Sequence, residues 1–236
     1  MKIAMWSGPR NLSTAMMYSF AARGDCFAVD EPFYGAYLAA TGMDHPMRDE
    51  VIASQSSDPV QVSKECLSSP KTAIFYQKHM TLHMLPDWDL GFMRGLTNVF
   101  LIRHPARVVA SYAKKREAPT LLDIGFVQQA ELFGRVANDL GHSPLVLDSA
   151  DVRADPQATL TRLCSALGMA FTDKMLSWPA GPKPYDGVWA PHWYDQVWKS
   201  TGFGGAEGDL PDMPAEFQKL SDAAMPYYEH LLPHRI

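Results

Sequence analysis

Cysteine is scarce in this chain: Cys26, Cys66 and Cys164 are the whole complement, odd in number, far apart and without a CxxC pair. That argues against a disulfide framework and against a zinc ribbon, and it points to a reducing cytoplasm. Long apolar runs are missing too. No stretch approaches the ~20 residues needed to span a bilayer, and the opening residues pass straight into a strand-like run, Lys2 to Trp6, with no apolar leader or small-residue cleavage site. A protein without membrane association is expected. Nor is there an excess of positive charge. With 21 Lys+Arg against 26 Asp+Glu the formal net charge is −5. Nothing global then attracts nucleic acid, and any anion must be met by a local concentration of positive groups. His83, His104 and His192 fall on different elements without the short spacing of a ligand cluster, so no metal is expected.

What is present is an alternation. Ile3–Trp6, Phe27–Val29, Thr72–Tyr76, Val99–Ile102 and Leu145–Leu147 read as buried strands, separated mostly by helix-length segments. That order implies a parallel sheet covered by helices on both faces. Helices are expected over Ser13–Ala22, Pro105–Lys115, Phe126–Leu140 and Pro156–Leu167; Asp155 before Pro156 reads as an N-cap with proline in the first turn. The 236 residues suit one domain, 1–236, long enough to bury roughly 70% of its unfolded surface. Over 179–210 the pattern changes to proline, glycine and tryptophan. A loop this long is functional or disordered, and Tyr185, Trp189, Trp193, Tyr194 and Trp198 favour an ordered cover over the site.

Two segments concentrate anion-binding chemistry. The first strand runs into SGPRNLST, Ser7 to Thr14, and then into a helix. Such a strand–loop–helix presents unpaired backbone N–H groups and a positive helix end. Gly8 permits a close backbone approach, Arg10 offers a forked donor, and Ser13 and Thr14 add hydroxyls. Ser13-Thr14 stands where GxxxxGK[ST] requires Gly-Lys, so a P-loop kinase lacks its lysine here. The second segment is VFLIRHPARVVASY. Arg103 ends a strand at the edge where open parallel sheets bind ligands, and Ser111 follows two helical turns later.

Together the two segments resemble the sulfotransferases that use 3′-phosphoadenosine 5′-phosphosulfate (PAPS). That family carries a basic, hydroxyl-rich loop after its first strand and an Arg and Ser eight apart on a strand–helix unit. The wider pattern SGPRNLST, DEPFY, HPMRDEV, QKH, AGPKPYDGVWAPHWY and STGF resembles a branch shared with plant proteins labelled branched-chain aminotransferase-like. No site for pyridoxal phosphate is argued by these residues. The resemblance implies a P-loop-NTPase-like three-layer α/β fold with a central, mostly parallel sheet. It also implies that Arg10, Asn11, Leu12, Ser13 and Thr14 cradle the 5′ end of PAPS or its product PAP, and that Arg103 and Ser111 hold the 3′-phosphate.

Three departures stand out. Leu12 replaces the usual glycine, Arg107 stands where many members have Asp, and the C-terminal RKGxxG signature is absent. Lys199, in KSTGFGG, is the nearest substitute for that signature's cation. For the chemistry, Glu31 after the second strand and His79 after the third are rival bases, with Glu31 ahead, and Lys78 would steady the leaving phosphate. The acceptor is expected to be a small hydroxyl or amine compound, met by the 33–58 region and the aromatic cover. A P-loop nucleotide kinase or transferase, and a non-catalytic nucleotide-binding domain, are the alternatives.

Overall fold

In the computed structural model, which describes residues 1–114, 118–141 and 143–236, five parallel strands form one sheet. They are β1 Lys2–Ser7, β2 Cys26–Asp30, β3 Ile74–Met80, β4 Thr97–Ile102 and β5 Leu145–Asp148, in the order β2-β3-β1-β4-β5. The α-helices are α1 Ser13–Ala21, α2 Tyr34–Thr41, α3 Arg48–Ser54, α4 Pro59–Cys66, α5 Pro105–Tyr112, α6 Phe126–Gly134, α7 Ser149–Ala154, α8 Pro156–Ala166, α9 Ala190–Trp193, α10 Asp195–Trp198 and α11 Ala215–Leu231. The expected end of α5 at Lys115 falls outside the described residues. Asp155 caps α8 as expected, its side chain accepting from the Ala158 N–H at 2.9 Å.

Alternation along the strands builds two cores. Ala4, Trp6, Phe100, Ile102 and Val146 face the layer containing α5, α6 and α11. Ile3, Met5, Val99, Leu101 and Leu147 face the layer containing α1 and α8. Both faces are therefore apolar, and the strands read as continuous apolar runs. The helix α11, not singled out in the sequence, packs on α5 and α6 and ties to β5 through Tyr228, whose hydroxyl donates to Asp148 at 2.6 Å. The winding changes direction beside β1, with β2 and β3 on one side and β4 and β5 on the other. The loop after β1 thus opens at the crevice where such sheets bind ligands.

One strand lies elsewhere than expected. The third runs Ile74–Met80 rather than Thr72–Tyr76, so Lys78 and His79 sit inside it and not after it. Three consecutive polar residues, Gln77, Lys78 and His79, resemble a strand end in sequence, yet all are buried: Gln77 and Lys78 find partners on other elements, and His79 pairs with Gln77 and stacks on Trp6. The 179–210 segment is ordered cover, broken by α9 and α10, with Trp189, Tyr194 and Phe203 buried. Asp186 is its knot, accepting from Tyr18 Oη at 2.7 Å, Trp198 Nε1 at 2.9 Å and the Lys183 N–H at 2.8 Å.

Candidate active site

The loop after β1 is shaped by two residues in left-handed backbone conformation, Arg10 (φ 64°) and Leu12 (φ 72°). Leu12 occupies the N-cap position of α1 without a side-chain cap. A branched residue there costs about 1–2 kcal/mol relative to relaxed backbone, and surrounding bonds impose it. Asn11 donates from Nδ2 to the Leu101 carbonyl at 3.1 Å, pinning the loop to the end of β4. Gly8 is needed for a close approach, but to protein: a Cβ there would lie 2.7 Å from the Ile124 carbonyl oxygen. Gly8→Ala should accordingly destabilise the fold by about 1–3 kcal/mol through overpacking against backbone. Thermal unfolding checks this, and an unchanged midpoint would show that the 124–125 turn yields.

Loop and second segment meet directly. Arg10 Nε donates to Ser111 Oγ at 2.9 Å, and Arg103 Nη1 donates to the Arg10 carbonyl at 2.8 Å. Burial, and then the charge of Arg103, lower the Arg10 pKa. Arg10, Asn11, Leu12, Ser13 and Thr14 line a cavity of about 670 Å³. Arg103 and Ser111 sit just behind this wall and reach it through Arg10.

Glu31 and Lys78 line the same cavity. The parallel register pairs Asp30 with Lys78, which brings carboxylate and ammonium together on one face. Lys78 Nζ donates to Asp30 Oδ1 at 2.8 Å, to Tyr194 Oη at 2.9 Å and to Glu31 Oε1. All three N–H groups are thereby committed. Asp30 Oδ2 accepts from Tyr194 Oη at 2.7 Å and from the Gly187 N–H at 3.1 Å, so the cover segment is fastened to the same cluster. Burial works against the ammonium, but Asp30 and Glu31 outweigh it and hold Lys78 well above a lysine's ordinary pKa.

Glu31 follows β2 with φ 41°, held there by its N–H to the Lys78 carbonyl and by Gln55 Nε2 donating to its carbonyl at 3.0 Å. Burial pushes its carboxyl up to about 7 despite the opposing charge of Lys78. A carboxyl poised there is protonated or ionised according to small changes around neutrality, the condition that suits a general base.

His79 is not brought to the cavity. Being next to Lys78 in a strand, it points to the opposite face of the sheet, where its ring stacks on Trp6 at 4.2 Å and its Nε2 meets Gln77 Oε1 at 3.1 Å. Burial and then Lys78 push its pKa down to about 3, so it stays neutral. Lys199 is exposed at the end of α10 and lies outside the cavity wall.

Other residues take places that sequence reasoning missed. His83 lines the cavity between Tyr34 and Tyr37, ring centroids 4.5 and 4.9 Å away, with Nε2 3.9 Å from Glu31 Oε2. Trp189 and Trp193, expected in the cover, add aromatic surface to the cavity. The TLH spacing after β3 was the available signal for His83. Asp30 gave none beyond the DE pair, because its role depends on strand register.

Known proteins similar in sequence or in shape identify the family and the fold. Residues 1–234 match the sulfotransferase-domain family. Two Arabidopsis thaliana proteins, branched-chain-amino-acid aminotransferase-like proteins 1 and 2, are 36% and 34% identical over 233 residues, 98% of this chain. The chain spans only 42% and 41% of their lengths. Among solved structures, a sulfotransferase from Alicyclobacillus acidocaldarius superposes with TM-score 0.58 at 10% identity, covering 100% of this chain and 96% of its own. The sulfotransferase domain of the curacin biosynthetic pathway gives TM-score 0.56 at 15% identity, covering 94% and 96%. At such identities the superpositions speak for the fold, a P-loop-like α/β sheet with helices around it. The sequence match over nearly its whole length decides the matter: the chain belongs to the sulfotransferase-domain family.

Proposed function

We propose that this protein transfers a sulfuryl group from PAPS to the hydroxyl or amine of a small acceptor. The observation that supports this most is the single cavity in which an anion-type loop, residues 10–14, and a buried carboxyl with a pKa near neutrality, Glu31, share one wall. In this reading the loop N–H groups and Arg10 hold the 5′-phosphosulfate, while Arg103 and Ser111 hold the 3′-phosphate. The acceptor oxygen attacks sulfur in line, the bond from sulfur to the bridging phosphate oxygen breaks, PAP leaves, and the acceptor proton passes to Glu31. The protein's share is positioning and charge stabilisation. In this reading Lys78, which lines the same cavity, serves the leaving oxygen by exchanging one of its three present partners. The aromatic wall of Tyr34, Tyr37, Trp189 and Trp193 suits an acceptor with an apolar or planar body.

Calorimetric titration with PAP, and with ATP or ADP with and without Mg²⁺, tests the nucleotide before any acceptor is known. Micromolar, metal-independent PAP binding is expected; preference for Mg-ATP would overturn the reading in favour of a kinase. Arg103→Ala should weaken PAP binding by about 1.5–3 kcal/mol, the scale of a lost hydrogen bond to a charged group. Equal affinity in the variant would remove Arg103 from the site.

A further inference from the structure

Behind the nucleotide-type loop lies a group of arginines that already holds an anion of the protein's own. The Glu207 side chain, 4% exposed, ion-pairs with Arg103 and stands 2.9 Å from Arg107 Nε and 3.3 Å from Arg153 Nη1. Arg107 also donates to the Gly208 carbonyl, and Arg153 Nε to the Gly205 carbonyl at 3.0 Å. With Arg10 beside Arg103, four guanidinium groups converge here. Among the described residues, Glu207 is the one carboxylate ion-paired with any of them. A single negative charge leaves this group strongly under-neutralised, a condition suited to a phosphate dianion with forked donors around it.

The segment bearing Glu207 has no regular structure and is held by these arginine contacts. Phe203 is buried, but Gly204–Ala206 and Gly208–Leu210 are exposed and form neither helix nor strand. A Cβ at Gly205 or Gly208 would meet nothing within 4 Å. Only the Glu207 side chain dips inward, and Arg153 and Gly204 continue from this cluster onto the cavity wall. Arg107, the departure from the usual Asp of the family, needs a counter-charge, and Glu207 supplies it.

Resting on the PAPS reading, we propose that Arg107 and Arg153 join Arg103 in a phosphomonoester site and that Glu207 occupies it as an internal substitute anion. The nucleotide's 3′-phosphate expels that anion on binding. Glu207 then acts as an internal competitor for the 3′-phosphate, holding the arginines while no nucleotide is bound. A nucleotide bearing a 3′-phosphate replaces the carboxylate with a stronger partner for the arginines. One without it leaves the carboxylate in place and gains nothing from the cluster. Apparent affinity for the first kind is reduced by the fraction of protein in which the site is already filled.

The test compares PAP with AMP, which lacks the 3′-phosphate, by calorimetry on the full chain. Glu207→Gln keeps the shape and removes the charge; it should bind PAP about tenfold more tightly, ~1.4 kcal/mol, with AMP affinity within about twofold of wild type. Arg107→Gln and Arg153→Gln should each weaken PAP binding several-fold and leave AMP unchanged. Weaker or equal PAP binding by folded Glu207→Gln would make Glu207 a strap that positions the arginines, and would overturn the proposal while the PAPS reading stood. Failure of the wild type itself to bind PAP would overturn both. Should Glu207→Gln not fold, amide exchange in the wild type decides: PAP but not AMP should speed exchange over residues 204–209, and protection there would overturn the proposal.

Discussion

Glu31→Gln is expected to lower turnover by about 10²–10⁴-fold, the usual contribution of a general base, while PAP affinity stays within about twofold. The amide keeps the shape of the carboxyl, and Asp30 still balances Lys78 at 2.8 Å, so the fold should survive. A wild-type turnover number in the variant would remove Glu31 from the chemistry. His79→Ala is the contrast: it should act through stability, by removing a ring stacked on Trp6, and leave turnover per folded molecule near wild type.

The pH dependence has a defined sign. Glu31 is raised from its ordinary 4.5 to about 7 by burial, and only its ionised form accepts a proton. Turnover should rise with pH through about 7. Stability should move the other way, because between these two values the folded chain binds more protons at Glu31 than the unfolded chain does. The contribution of Glu31 is complete below about 4.5 and is lost as pH rises through about 7. Activity and thermal midpoint measured over the same buffers would separate this from general acid damage, which moves both together.

Lys78→Met is expected to cost about 3–5 kcal/mol of stability, the range found when one member of a buried ion pair is removed. The lysine is 1% exposed and is the cation bonded to both Asp30 and Glu31. Methionine fills similar space, so the loss arises from two uncompensated carboxylates rather than from a cavity. It should be smaller at pH 5 than at pH 8, since protonation relieves the buried charge. Tyr194 loses its Nζ partner as well, and the cover segment should become more sensitive to protease. A loss under about 1 kcal/mol would mean that water reaches the cluster. Denaturant titration at both pH values reads the loss and its pH dependence, and limited proteolysis reads the cover segment.

Much of the fold was legible because its signals are local. Apolar runs of strand length mark β1, β2, β4 and β5 to within two residues at each end, and Asp155-Pro156 marks the start of α8. Arg10, Ser13, Thr14 and Arg103 stand at or just after strand ends and at a helix start, and Ser111 near the end of α5 is two turns on from Arg103, so Arg10 meets Arg103 and Ser111 once the strands are parallel. The polar half of β3 misled because Gln77, Lys78 and His79 are buried by groups distant in the chain: Cys66, Asp30, Tyr194 and Trp6. Lys199 looked like a cation for the nucleotide from its place in a glycine-rich stretch, yet the turn after α10 leaves it in water.

By itself, then, the sequence determined the class of fold, the position of the loop after β1 and the family, since each depends on residues close together in the chain or on an extended pattern of identities. Only the tertiary structure decided which neighbour of Lys78 faces the cavity, how Asp30 fastens the cover, and that Glu207 lies among Arg103, Arg107 and Arg153. Those outcomes depend on strand register and on contacts between residues about 50 to 160 positions apart. No local propensity encodes them, because the partners of a buried charge are chosen by packing.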